Sequence, residues 1–190
     1  MSEYILSKMD ARYKTGAERK TAEERREAVL RAAMAEFAER GLHGASTERV
    51  AREAGIAHSY VFKLFGKKRD LFLAATGRVY DRVLGLFREG AEAHPEDPMR
   101  GMGAAFRELL DSREELLVMI HGFAAAEDPE IGDAMRERYA ELYRYASDAA
   151  GADAERMRAF WAHGMLLIVA AAMDLPTLKE KEGWVRELLA

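Results

Sequence analysis

Cysteine is absent from the 190 residues, which excludes disulfides, thiolate chemistry and any zinc site built on cysteine. Proline occurs four times and glycine fifteen, so long stretches of chain are free to be helix. The longest apolar run, Gly164 to Met173, is about half of the ~20 residues that a membrane span needs. The first ten residues lack the apolar core of a signal peptide, so a cytoplasmic location and no membrane partner are expected. The histidines are His43, His58, His94, His121 and His163, and none pairs with another at i, i+4 around a carboxylate. Neither a glycine-rich phosphate loop nor a nucleophile elbow occurs. No catalytic residue, metal or cofactor is therefore expected.

What is present is the make-up of a globular chain, 49% hydrophobic and 33% charged. The net charge of −4 is unevenly spread. Met1–Leu73 carries 15 Lys and Arg against 11 Asp and Glu, hence +4, whereas the remainder carries 14 against 22, hence −8. A basic end on an acidic body fits nucleic-acid contact by the first third, and ordinary surface charge is the alternative.

Helical grammar runs from end to end. Residues 1–20 are polar and basic without periodicity and are expected to form a flexible arm. Thr21-Ala22-Glu23-Glu24 is a capping box. Val29, Leu30, Ala33, Met34 and Phe37 follow at helical spacing up to Gly41. Ser46 caps a short second helix that Gly55 ends, a third runs from about His58 to Phe65, and a long fourth runs from about Lys68 to His94. Beyond the linker prolines Pro95 and Pro98, Ser112–Glu115 reads as another capping box. Asp128-Pro129 reads as a cap followed by proline at the first helical position. Asp153 caps a helix expected to reach Leu175, and Thr177–Glu180 is expected to box the last one. No stretch alternates as a strand would, so the expected class is all-α.

The first three helices carry the functional signal. Two short helices joined at Ala54-Gly55-Ile56 fit a helix-turn-helix, about residues 46–65, whose second member lies in the major groove. On that member Val61, Leu64 and Phe65 share the inner side, while His58, Ser59, Phe62 and Lys63 share the outer one. Histidine and serine offer donors and acceptors to base edges, and lysine offers charge to phosphates. The alternative is a small three-helix core with a solvated face.

The run Arg26, Ala33, Phe37, Gly41, Ser46, Val50-Ala51, Ala54-Gly55-Ile56, Phe62, Phe65, Lys68 and Leu71 resembles the signature of the TetR/AcrR family of bacterial regulators. The likeness covers about fifty residues, and the segment His121–Glu130 is similar to stretches in some members. The resemblance implies a DNA-binding domain over 21–67 and a ligand-binding and dimerisation domain over 68–190. It implies that Ser46 touches a phosphate, that His58, Ser59 and Tyr60 approach base edges, and that Lys68 grips the backbone. Phe62 and Lys63 complete the expected DNA-binding set. Three positions depart from the pattern. Ala57 stands where a capping Ser or Thr is usual, a loss of about 1 kcal/mol. Phe62 replaces a tyrosine, and Leu64 a common histidine.

The second half is rich in Met and aromatic residues, which pack cores and also line adaptable pockets. Met102, Phe106, Met119, Phe123, Tyr139, Tyr143 and Phe160 are the expected ligand-binding set, with His121 as a hydrogen-bonding partner. From Phe160 to Met173 the chain is apolar nearly all round, and such a helix must be covered on all sides. Trp161, Gly164, Ile168 and Ala171, with Trp184 and Leu188 on the last helix, are the expected homodimer interface, a monomer core being the alternative. The expected function is a ligand-responsive repressor that binds a pseudo-palindromic operator in double-stranded DNA as a dimer. A hydrophobic small molecule is expected to release it. A small helical enzyme or lipid carrier would require an acid/base or cofactor motif. A nucleoid-type protein would have no use for a pocket-forming second half.

Overall fold

A computed structural model describes residues 21–189, so the expected N-terminal arm lies outside the described residues. Among the described residues there is no strand. Nine α-helices run in the order α1 (Ala22–Gly44), α2 (Thr47–Glu53), α3 (His58–Phe65), α4 (Lys68–Ala93), α5 (Pro98–Asp111), α6 (Arg113–Ala124), α7 (Pro129–Ala150), α8 (Ala154–Ala172) and α9 (Gly183–Leu188). A 3-10 turn, Leu175–Leu178, precedes the last.

α1 opens on the capping box that its first residues spell. Thr21 Oγ1 accepts from the Glu24 N–H at 3.1 Å, and the Glu24 carboxylate accepts from the Thr21 N–H at 2.6 Å. Its apolar face, Val29, Ala33, Met34 and Phe37, is buried. Phe37 meets Phe72 of α4 edge to face, with ring centroids 5.0 Å apart. At Gly41 the backbone turns to φ 62° and ψ −174°, and the helical path resumes through Gly44. A Cβ there would lie 2.9 Å from the His121 ring, so both the turn and the close approach of α6 require glycine.

α4 is the spine, packing against α1, α3, α5, α6 and α7. It joins the two halves of the chain through side chains at its start. Lys68 Nζ donates to the carbonyls of His43 and Ala45, at 3.2 and 3.1 Å, and so closes the end of α1. Arg69 reaches Asp128 at 3.2 Å and Glu130 at 2.6 Å, which ties α4 to the start of α7. Further along, Arg82 pairs with the buried Glu115 of α6 at 3.0 Å.

The elbow between α1 and α2 turns on one buried carboxylate. Glu36 accepts the Ser46 N–H at 2.7 Å and the Arg49 guanidinium through Nε at 2.9 Å and Nη2 at 2.5 Å. The Arg49 bonds, helped by the Ser46 N–H, hold its carboxyl below the ordinary value of 4.5 against the opposing effect of burial. A depressed folded-state pKa contributes stability above the unfolded value and loses it as pH falls through the folded one. Glu36→Gln is therefore expected to cost about 1–2 kcal/mol at neutral pH and to flatten the loss of stability below pH 4.5. Urea unfolding at pH 7 and pH 4 checks both. Equal acid sensitivity in the two proteins would remove Glu36 from this role.

Two sequence-based caps do not form. Ser112 begins α6 without a side-chain bond, and the reciprocal bond is missing too, since its N–H donates to the Leu109 carbonyl at 3.0 Å while the Glu115 carboxylate pairs with Arg82. The last helix does not start at Thr177 either. Asp174 adopts the left-handed conformation at φ 56° and ends α8 early, at Ala172. The chain then makes its 3-10 turn, with the Thr177 hydroxyl donating to the Asp174 carbonyl at 2.8 Å. α9 is left with six residues.

Candidate functional site

α2 and α3 are set by local chemistry. Ser46 caps α2, its hydroxyl accepting from the Arg49 N–H at 3.4 Å and donating to Glu48 at 2.6 Å. Gly55, at φ 69°, turns the chain between them, and the Ile56 N–H returns to the Ala51 carbonyl at 3.0 Å. α3 begins after Ala57 with no side-chain cap, so its first-turn N–H groups keep no side-chain acceptor. Val61 and Phe65 are buried and Leu64 is half-buried, as their spacing requires. The Arg26 guanidinium holds the end of α3 from α1, donating to the Leu64 carbonyl at 2.9 Å and lying 4.2 Å from the Phe65 ring centre.

The outer face of α3 carries the expected DNA-reading residues. Ser59, Phe62 and Lys63 are exposed, and His58 and Tyr60 are half-buried. His58 Nε2 lies 2.8 Å from the Thr47 hydroxyl of α2, and its ring meets Phe62 edge to face at 4.9 Å. The two helices thus share one histidine. Arg25 and Lys63 lie 5.7 and 5.8 Å from the Tyr60 ring centre, adding cations along that edge. Phe62 leaves 44% of its surface in water, a cost an aromatic side chain meets only where nothing of its own chain covers it. Lys68 is half-buried, and its ammonium serves the end of α1.

The second half encloses an apolar cavity of about 70 Å³. Five of the expected ligand residues, Phe106, Met119, Phe123, Tyr139 and Phe160, line it. Around them Phe87, Phe106, Phe160 and Trp161 form an aromatic cluster, with Phe87 at 6.1, 5.9 and 6.3 Å from the other three. Beside this chamber lies an open groove of about 570 Å³, which holds Tyr143 and has Arg136 and Arg144 on its rim. Tyr80, Phe123, Tyr139 and Met165 belong to both.

Met102 and His121 leave the ligand set, since neither lines the chamber or the groove. Met102 is fully buried on α5 next to its close contact with α4, and the His121 ring packs on Gly41. Tyr80, Val83 and Phe87 of α4 line the chamber although sequence reasoning passed over them. Their i, i+3, i+7 spacing on the spine was the available signal. Burial raises the Tyr80 phenol well above its ordinary value, so it stays protonated. Its hydroxyl is buried and meets no hydrogen-bond partner among the described residues.

The expected dimer residues divide. Trp161, Gly164 and Ile168 turn inward and line the chamber, and Ala171 packs half-buried against the core. Trp184 and Leu188 are exposed, and so are Val169 and Met173 of α8. The exposed apolar side here therefore runs through Val169 of α8 and Met173 just beyond its end, next to Ile168 and Ala171 around the helix.

Among the described residues no cluster of side chains fits a metal ion, and no helix is long and apolar enough to cross a membrane. Residues 29–75 match the family described as bacterial regulatory proteins, tetR family. A stretch of 101 residues, 53% of this chain, is 28% identical to the HTH-type transcriptional activator FasR of Mycolicibacterium smegmatis. The matched stretch spans 39% of that relative's length. The fold is similar to that of a transcriptional regulator of Pseudomonas aeruginosa PAO1, at TM-score 0.62 and 23% identity, covering 90% of this chain and 88% of the other. It is also similar to a TetR-like transcriptional regulator of Rhodococcus sp. RHA1, at TM-score 0.62 and 19% identity, covering 81% and 85%.

Proposed function

We propose that this chain, whose residues 29–75 match the family of bacterial regulatory proteins, tetR family, is a homodimeric repressor that a hydrophobic small molecule releases from a pseudo-palindromic operator. The observation that carries this reading is the reach of α4. It starts at Lys68, bonded to the end of α1, and its middle, Tyr80 to Phe87, forms a wall of the apolar cavity. Residues 21–67 then act as the DNA-binding unit and 68–190 as the sensor and dimerisation unit, working in the bacterial cytoplasm.

On DNA, α3 enters the major groove with Ser59 and His58 toward base edges, Phe62 against sugar or a thymine methyl, and Lys63 on phosphate. Thr47 occupies His58 Nε2, which leaves Nδ1 for a base. Selection from a random DNA pool is expected to return two half-sites about 34 Å apart, one turn of B-DNA. His58→Ala should then change the preferred sequence. Lys63→Ala should weaken binding to all sequences alike and lower the salt slope by about 1. The reverse pattern would overturn these roles. Lys63 is the cleaner probe than Lys68, whose ammonium also holds α1.

An effector in the cavity displaces the α4 wall, and the Lys68 end carries that tilt to α3. Typical couplings of about 1–3 kcal/mol change affinity about 5- to 150-fold, and operator DNA must weaken effector binding by the same factor. Compounds that bind the cavity tightly and leave operator affinity unchanged would defeat the coupling. The matched relative carries the name of an activator. A reporter placed behind the selected operator separates the two signs of control, since loss of a repressor raises transcription and loss of an activator lowers it.

A further inference from the structure

The chamber and the groove differ in what they can hold. The chamber of about 70 Å³ admits little more than one ring or a short branched alkyl group, whereas ligand sites commonly enclose about 300–1,000 Å³. A molecule of ordinary effector size must therefore extend into the groove of about 570 Å³. Its path crosses the four residues that the two spaces share, Tyr80, Phe123, Tyr139 and Met165. At that crossing the one buried hydroxyl without a partner belongs to Tyr80. Tyr80 is 3% exposed and its hydroxyl is closed off from both spaces, so an acceptor reaches it only as an entering molecule parts the side chains at the crossing. An unpaired buried donor is costly in the empty protein and gains when an acceptor arrives.

We infer that Tyr80 is the polar anchor of the effector site, donating its O–H to a neutral carbonyl-type acceptor in the middle of an otherwise apolar molecule. The inner end of that molecule lies among Phe87, Phe106 and Phe160. The chamber has no Asp, Glu, Lys or Arg in its lining, and its one histidine, His163, is exposed at the edge, so a charge among Phe87, Phe106 and Phe160 would stay unpaired and costly. The outer end lies in the groove that Arg136 and Arg144 border. The phenol stays protonated because burial opposes its ionisation, so it is a donor throughout the working pH range. This assignment rests on the effector-controlled reading above and names the chemistry of the effector for that same site.

Benzophenone and diphenylmethane form a matched pair of probes: two rings joined by a carbonyl, or by a methylene with no acceptor. Calorimetric titration of the full-length dimer is expected to show benzophenone binding about five- to tenfold tighter, the effect of one net hydrogen bond. Tyr80→Phe keeps the ring and removes the hydroxyl. It should erase the preference by weakening benzophenone alone, with diphenylmethane unchanged. Four results would overturn the anchor: neither probe binding, equal binding to the wild type, a preference that survives in Tyr80→Phe, or a loss of both probes together. Binding of the selected DNA is measured beside each titration. If the Tyr80-dependent preference holds and DNA affinity does not move, the anchor stands and the release mechanism falls. If benzophenone releases DNA equally from both proteins, the release mechanism stands and the anchor falls.

Discussion

If the proposed homodimer forms through the face of Val169 and Trp184, Val169→Glu combined with Trp184→Glu is expected to turn it into a folded monomer and to lower affinity for the selected DNA on the order of a hundredfold or more. Both side chains are exposed in the single chain, at 48% and 53%, beside Met173 at 63% and Leu188 at 42%. These four large apolar side chains left in water near the end of the chain are the surface proposed to meet a second copy. Opposed glutamates repel across a two-fold interface, where each patch meets its own copy. Folding should be spared, since neither residue belongs to the interior of its own chain. DNA binding should not be, because two linked half-site contacts exceed one by about 10²–10⁴. Sedimentation measures the mass, and anisotropy on the selected operator measures the affinity. A double variant that remains dimeric would move the interface elsewhere. Gly164→Ala, in the chamber wall, should leave the mass unchanged: a Cβ there meets no atom within 4 Å.

Gly101→Ala is expected to be the most damaging single methyl group in the protein. α4 and α5 touch backbone to backbone at Gly90 and Gly101. A Cβ on Gly101 would lie 2.0 Å from the Gly90 carbonyl oxygen, and one on Gly90 would lie 2.4 Å from the Gly101 carbonyl oxygen. Neither obstacle is a side chain that can rotate away, so the helices must separate, and Met102 and Ala91 lose their packing. The expected cost is about 3 kcal/mol or more, a fall in Tm of roughly 6–12 °C for a chain of this size. Gly85→Ala on the same α4 is the control. Nothing lies within 4 Å of its added Cβ, so alanine's helix propensity should raise stability by up to about 1 kcal/mol. Thermal melts followed by circular dichroism compare the two. If Gly101→Ala melts with the wild type, the close approach of α4 and α5 is not what the structure describes.

The helix-turn-helix was legible because its signals are local. Thr21 with Glu24, Ser46 with the Arg49 N–H, Gly55 in its turn and Gly66 behind Phe65 each act within three or four residues. The expected ends of α1 through α4 accordingly lie close to the observed ones. Periodicity on α3 sorted Val61 and Phe65 from Ser59 and Lys63, because a short helix packed on one side has one apolar face. What local reading missed was competition for the same groups. Ser112 and Glu115 spell a capping box, yet Arg82, thirty residues earlier, takes the carboxylate. Lys68 is expected to grip the DNA backbone, yet in the structure its ammonium donates to the carbonyls of His43 and Ala45.

Residue order settled the all-helical class, the helix-turn-helix and the exposed face of α3, since caps, breakers and spacing are written within one or two turns of chain. Three-dimensional packing alone decided the roles along α8. A helix apolar on every side carries no period that marks an inside, so only its neighbours could orient it: α5, α6 and the 3-10 turn along its length, and Phe87 of α4 with Tyr139 and Tyr143 of α7 around Trp161. They turn Trp161, Gly164 and Ile168 into the chamber and leave Val169 and Met173 outside. The same packing joins Tyr80 of α4 to Phe123, Tyr139 and Met165, which come from three other helices. A cavity is the space that separate elements fail to fill together, so its walls and its unpaired hydroxyl exist only once those elements have met.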